Sequence, residues 1–528
     1  MRLSRLGVMQ PTRLSFLRVL MRRLADAKAV VTRPVWDMND EGHGCAVYTV
    51  TIGARAYSLI AFSQALAPED RTDRVIATAW DAAFVLFDGI PTEDDIARLK
   101  RDVPRQEAGR LSAKEIVLSR ANKSVRVFSD VVDALRRGEQ PKKDLIRETG
   151  YLMRTTAVYG NGKFGLSDRA AYAERPELSG PFAAEMLTVW LIRGFTHDLA
   201  EFLGGAEMDR EIKRHLGIGN ATGLGMAPFL VSHPRLLDAW FRVKETALAR
   251  VLAQETIFEE DANHLLAAVS EAKAYLADWQ VADLDAQSEI DALREEWDRF
   301  TADVTVETLR QAGALAALFA VAETRSEALQ ELAAAWLLEP FGALIDGLAA
   351  DQATHADPCL DASMSCAALK TLIVSHAAWA LDVDFDDPAA TAQFWYVSEE
   401  KLEPRLGDRE SEAGAELETP LDSARQIAAL YQALPSDERP LWRFLAEAPE
   451  HRAAARRVQT LAEHPYSEVR ANLLDKDAAP IHLLRAKLSF FGATRFDPKS
   501  RLWTRVTLGQ GLPLLDEIGD EAPWLPSL

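Results

Sequence analysis

Two hydrophobic periods divide this chain. A period of two residues is confined to residues 45–88, where Tyr48, Val50 and Ile52 alternate with Val47, Thr49 and Thr51. Gly53-Ala54-Arg55 supplies a turn, and Ala56–Ser63 returns with Tyr57, Leu59, Ile60 and Phe62, which predicts a hairpin. Val75–Ala79 and Phe84–Phe87 are two further runs that would complete a small antiparallel sheet, ended by Gly89-Ile90-Pro91.

Elsewhere the period is helical. Leu14, Leu17, Leu20, Met21 and Leu24 recur at helix spacing with arginines between them, which predicts an amphipathic first helix packed on its own domain. This Arg-rich stretch lacks the apolar core of a signal peptide. Thr92-Glu93-Asp94-Asp95 resembles a capping box. Ser112–Arg137 reads as one long helix, and a second opens at Pro141 and runs to about Met153. Pro234 suits a helix first turn. Residues 259–278 and 285–301, Val306–Ala322 and Ser326–Ala350 continue the pattern, which breaks at Asp382–Pro388 and resumes after Pro420. Gly407–Pro420 reads as an exposed acidic loop. The expected fold is mainly α, with a small antiparallel β-sheet near the N-terminus, α+β overall. Three regions are expected: 1–110 with the first helix and the sheet, 111–380 as a helical core, and 381–528 as a helical region with irregular segments.

Two segments interrupt the helices between Arg154 and Pro234. One is Arg154–Gly165, containing Gly160-Asn161-Gly162-Lys163-Phe164-Gly165; the other is Gly217–Phe229, containing Gly217-Ile218-Gly219-Asn220-Ala221-Thr222-Gly223. Glycine inside a helix costs about 1 kcal/mol per residue, so both are expected to be loops. The first fits G-x-G-x-x-G, but a dinucleotide site also needs a βαβ context, which the surrounding pattern does not supply. Glycine turns present backbone N–H groups suited to anions. Arg154 and Lys163 would add charge, and Asn161, Asn220 and Thr222 hydrogen bonds. The bland alternative is that Asn-Gly pairs merely take left-handed turn conformations.

Composition narrows the classes. The 528 residues carry a formal charge of −20, which disfavours nucleic acid as a partner. The excess is uneven: residues 1–150 hold 25 Lys and Arg against 20 Asp and Glu, leaving 35 against 60 for the remainder. Three cysteines, Cys45, Cys359 and Cys366, suit a reducing compartment and a cytoplasmic location. The longest apolar run near the middle, Ala312–Ala322, is too short to span a bilayer, so no membrane partner is expected.

A second candidate cluster is Phe394–Arg405, where three aromatics precede Glu399, Lys401 and Arg405. An apolar wall beside carboxylates raises a carboxyl pKa into the range useful for proton transfer. The bland reading is a helix start with Ser398 as N-cap. The acids Asp382, Asp384, Asp386 and Asp387 lack the glycine and glutamate of a calcium loop, and no histidine spacing marks a zinc or di-iron site. His197 and His233 flank the glycine segments, as general bases or, more plainly, as structural hydrogen-bonding residues.

These observations point to an enzyme acting on a small anionic, carboxylate- or phosphate-bearing molecule by non-redox acid–base chemistry, with no cofactor and no metal. Arg154, Asn161, Lys163, Asn220, Thr222 and Arg405 would hold the anion, and Glu399 or Lys401 would move protons. A homo-oligomer is compatible with this. The competing class is a non-catalytic helical scaffold or regulatory binding protein. A buried pocket at the glycine segments would favour the enzyme, and a long apolar groove the scaffold.

Overall fold

The computed structural model describes residues 16–67, 80–103, 112–125, 127–159, 175–178, 183–220, 234–278, 284–350, 360–386, 394–398, 401–407, 415–418, 422–463, 496–500, 503–508 and 512–518. The expected hairpin is present as β2 (Gly44–Ile52) and β3 (Arg55–Ser63), with Val47 opposite Ile60 and Gly53 in the left-handed region at φ 60°. β4 (Ala82–Asp88) pairs with β3. The expected run Val75–Ala79 lies outside the described residues. A strand absent from the sequence pattern, β1 (Val30–Met38), covers the free edge of β2. Its largely exposed residues give no clean alternation, and the ladder shifts register between Thr32 and Val35, which accommodates Pro34.

The sheet is larger than expected, and mixed. β5 (Glu115–Lys123), β6 (Tyr151–Tyr159), β7 (Gly217–Asn220), β12 (Trp503–Leu508) and β11 (Phe496–Ser500) extend it to nine strands in the order β1-β2-β3-β4-β5-β6-β7-β12-β11. All neighbours are antiparallel except β6 and β7, which run parallel. The expected helix Ser112–Arg137 is instead β5 followed by α3 (Phe128–Arg136). Every residue of β5 is buried, so the strand shows no period of two. The leading parts of the two glycine-rich segments depart from the expected loops: Arg154–Tyr159 belongs to β6 and Gly217–Asn220 forms β7, while 160–165 and 221–229 lie outside the described residues. Tertiary pairing overrides the weak strand preference of glycine.

Three helices cover one face of the sheet. α1 (Phe16–Asp26) buries Leu20, Met21 and Leu24, the apolar face expected of it. With α3 it packs on α5 (Ala183–Gly204), whose Trp190 and Phe195 are fully buried. α5 links β6 to the parallel β7, making one βαβ unit within an otherwise antiparallel sheet. The other face carries Cys45, Val47, Ile60, Phe62, Val85 and Leu118 beneath α2 (Glu93–Asp102). The capping box of α2 is closed: Asp95 N donates to Thr92 Oγ1 at 3.2 Å and Thr92 N to Asp95 Oδ2 at 3.1 Å. Two short helices, α4 (Lys143–Thr149) and α6 (Arg210–His215), precede β6 and β7.

Further helices share the core of the α5 face. α7 (Pro234–Leu252), α8 (Glu259–Asp278), α9 (Leu284–Phe300), α12 (Glu327–Leu338) and α13 (Gly342–Ala350) supply Val243, Leu265, Trp297, Trp336 and Ile345. The Trp297 and Trp336 rings meet edge to face at 5.7 Å. Val306–Ala322 is not one helix. α10 (Val306–Leu309) and α11 (Ala314–Glu323) are separated at Gly313, φ 69°. Ala328–Ile345 has the length and composition of a membrane span, with 72% of it buried inside the protein.

A second core joins α14 (Cys366–His376), α15 (Asp422–Ala433), α16 (Leu441–Glu447) and α17 (Arg452–Glu463) through Leu369, Ile373, Ile427, Leu430, Leu441 and Val458. Between α14 and α15 a three-stranded sheet pairs β8 (Phe394–Ser398) with β9 (Lys401–Gly407) and β10 (Ala415–Glu418). The helix start expected at Ser398 is thus a hairpin, and part of the expected acidic loop is β10. Finally, residues 512–518 fasten onto α5 and α6. The Pro513 carbonyl accepts from Trp190 Nε1 and from Arg193 Nη1, both at 3.0 Å. Glu517 takes Arg210 and Arg214, and Leu515 lies on Gly194.

Candidate functional site

The parallel pair brings the two glycine-rich segments together. Arg154 is the ladder partner of Gly219 and Thr155 that of Asn220, so the two backbones run about 4.8 Å apart there. Each segment then continues past the carboxyl end of its strand, after Tyr159 and after Asn220. Crevices beyond the carboxyl ends of parallel strands are where open sheets bind ligands.

Register assigns the neighbours of Arg154. Paired residues share a face, and Arg154 pairs with Asn122. Two residues before Asn122 on the same face comes Arg120, whose partner on β4 is Ala83. Arg120 and Arg154 are each 3% exposed. They sit as diagonal neighbours on the α2 face of the sheet. The β5–β6 ladder shifts register between Arg120 and Ala121, and like charges on neighbouring strands repel. Each has lost much of its hydration, a cost that buried cations offset with opposite charge and hydrogen bonds.

One such charge is Asp81, fully buried at the start of β4. Asp81 N donates to Asn122 Oδ1 and Lys123 N donates to Asp81 Oδ2, both at 2.8 Å. The Trp80 ring stacks under the Arg120 guanidinium at 3.9 Å, a contact that favours a desolvated cation. On β7, Ile218 points to the α5 core while Gly217 and Gly219 occupy the Arg154 side. On the β7 side, glycine therefore adds no side chain next to Arg154, which permits close approach by another backbone or a ligand. The patch thus holds two buried guanidinium groups and a buried carboxylate on neighbouring strands.

Of the residues expected at the site, Arg154 is placed within this patch. Asn220 ends β7, with its side chain outside the description. Asn161, Lys163, Thr222 and Glu399 lie outside the described residues. Lys401 and Arg405 are on β9, in the separate three-stranded sheet, again with side chains outside the description. His197 is buried in α5, on the other side of the sheet. Among the described residues, no three His, Cys, Asp or Glu converge as metal ligands.

Sequence reasoning missed Arg120, Asn122 and Asp81. The available signal was Arg120 and Asn122 two apart, which share a face only if the stretch is a strand; read as a helix, they diverge. Compared with known proteins, the chain matches no family model, no curated sequence and no solved structure.

Proposed function

We propose that the protein is a non-redox enzyme acting on a small carboxylate- or phosphate-bearing molecule held at Arg120 and Arg154. The observation that carries this reading is two buried guanidinium groups on neighbouring strands, beside a strand face made of glycine. Arg binds an oxyanion through two parallel bonds, and in a water-poor site those bonds stabilise negative charge as it develops. Lys163, Asn161, Asn220 and Thr222 would close the clamp from the glycine-rich segments. Asp81 joins Glu399 and Lys401 as a candidate for moving the proton.

The test is calorimetric titration with inorganic phosphate and with succinate, paired with thermal melting. A ligand that binds only the native state at 100 times its Kd adds about 2.7 kcal/mol of stability. Arg154→Lys keeps the charge but loses the fork, and is expected to weaken binding at least tenfold. Equal binding by this variant, or no stabilisation by either anion, refutes the reading.

A second reading, a non-catalytic binding protein, has one observation in its favour. A groove of about 420 Å³ between α9, α10 and α11 is lined by Phe300, Val304, Leu318 and Val321, with Arg299 and Arg325 among its polar lining. Such an apolar groove suits the face of a partner helix.

A further inference from the structure

A cavity of about 380 Å³ lies on the α5 face, between β1, β2, α5, α6 and the segment 512–518. It is of the size usual for small-molecule sites, about 300–1,000 Å³. Trp190, Leu514 and Leu515 give it apolar walls, and Arg33, Lys213, Asp198 and Asp516 give it charge of both signs. Asp198 Oδ2 accepts from Arg33 Nη1 and from the Tyr48 hydroxyl, both at 2.6 Å. Lys213 Nζ stands 2.8 Å from Glu201. Arg193 also lines the cavity but is committed elsewhere, donating to the carbonyls of Leu216, Pro513, Lys213 and Arg214.

His197, which is 4% exposed, is committed on one ring nitrogen only. Its Nε2 is buried and has no hydrogen-bond partner among the described residues. Burial, then the cations Arg193 and Lys213, hold the imidazole neutral, and the Leu216 carbonyl beside the ring opposes them. With the proton on the nitrogen facing that carbonyl, Nε2 is left as a bare acceptor, which is costly to leave unmatched inside a protein. A donor entering the cavity would satisfy it.

The charges say what kind of donor. Each charged wall already has an opposite partner: Asp198 holds Arg33, Lys213 holds Glu201, and Asp516 holds Arg210 at 2.9 Å, so the walls are balanced and favour neither a simple anion nor a simple cation. A molecule carrying both signs suits such walls. We propose that this cavity binds a small zwitterion, an α-amino acid with an apolar side chain. Its ammonium group donates to His197 Nε2 and faces Asp198, its carboxylate faces Lys213 and Arg33, and its side chain lies against Trp190, Leu514 and Leu515. The site uses none of the residues of the two-arginine patch.

The experiment is titration calorimetry of the full chain with L-leucine and L-phenylalanine, with acetate and butylamine as single-charge controls. The expected result is saturable binding of at least one amino acid, weaker by tenfold or more for both controls. His197→Phe and Lys213→Met should each weaken that binding at least tenfold, with near-ultraviolet circular dichroism confirming the fold. Lys213 lies at the cavity margin, so its variant carries the test if the histidine variant does not fold. The proposal is overturned if neither amino acid binds at millimolar concentration, if acetate or butylamine binds as tightly, or if Lys213→Met leaves the affinity unchanged.

Discussion

Replacing Gly194 with alanine sets two effects of known size against each other. Gly194 lies inside α5, and a Cβ there would stand 2.3 Å from Leu515 Cδ1 and 2.8 Å from Leu515 Cγ. Alanine in a helix interior is favoured over glycine by about 1 kcal/mol. The new methyl must displace a residue of the segment 512–518, and overpacking of this kind costs about 1–3 kcal/mol. Rotation about χ2 of Leu515 clears Cδ1 but not Cγ, so the clash should win and Gly194→Ala should lose up to about 2 kcal/mol. Leu515→Ala in the same chain removes the obstacle. Urea unfolding of the four proteins of this cycle isolates the coupling. The double variant is expected to be more stable than Leu515→Ala alone, because the helix preference then acts unopposed. If Gly194→Ala is stabilising in the unmodified chain, or the two changes add without coupling, Leu515 does not sit where the argument needs it.

Other outcomes follow from the buried charges and one turn. Burial raises the pKa of Glu517, but hydrogen bonds from Arg210 and Arg214 bring it down from an ordinary 4.5 to about 2. A folded-state pKa below the unfolded one stabilises above about pH 4.5 and loses that stabilisation as pH falls towards 2. Allowing for the half-exposed Arg210, Glu517→Gln should cost about 2 kcal/mol at pH 7 and almost nothing at pH 2, read by denaturant melts at the two pH values. Lys244 and Glu331 form an ion pair in which each side chain is 1% exposed. Lys244→Met should cost about 3–5 kcal/mol by stranding the carboxylate, and Lys244→Met with Glu331→Met should cost less than that, by chemical denaturation. Gly150 ends α4 at φ 68° and its carbonyl accepts from Gly217 N at 2.9 Å. Gly150→Ala should lose about 1–2 kcal/mol in the same assay.

Local features were legible where a local cause sufficed. The β2–β3 hairpin has its own turn glycine, α2 its own capping pair, and α1 a stripe of leucines between arginines. β5 was not legible, because burial on both faces removes the alternation and places Ser119, Arg120, Asn122 and Lys123 inside. Their presence reads as helix surface unless the neighbours are known. β8 and β9 were hidden similarly: Ser398 before acidic residues imitates an N-cap, whereas its ladder partner is Lys401. In the candidate site, Arg154 and the glycine segments were visible as composition. The partnership of Arg154 with Arg120 depends on register across β5 and β6, which no single segment encodes.

The mixed sheet also constrains the order in which the protein can be made. β7 is held between β6 and β12, and β12 lies nearly 300 residues later in the chain. While residues 503–508 are still unsynthesised, β7 presents an open edge, and α5 lacks the segment that accepts from Trp190 and Arg193. The helices between β7 and β12 bury apolar faces against near neighbours and need not wait. Assembly should therefore be discontinuous, with early helices and a late, slow closure of the sheet by strands distant in sequence. Until that closure the exposed strand edge is a site for mispairing between nascent chains.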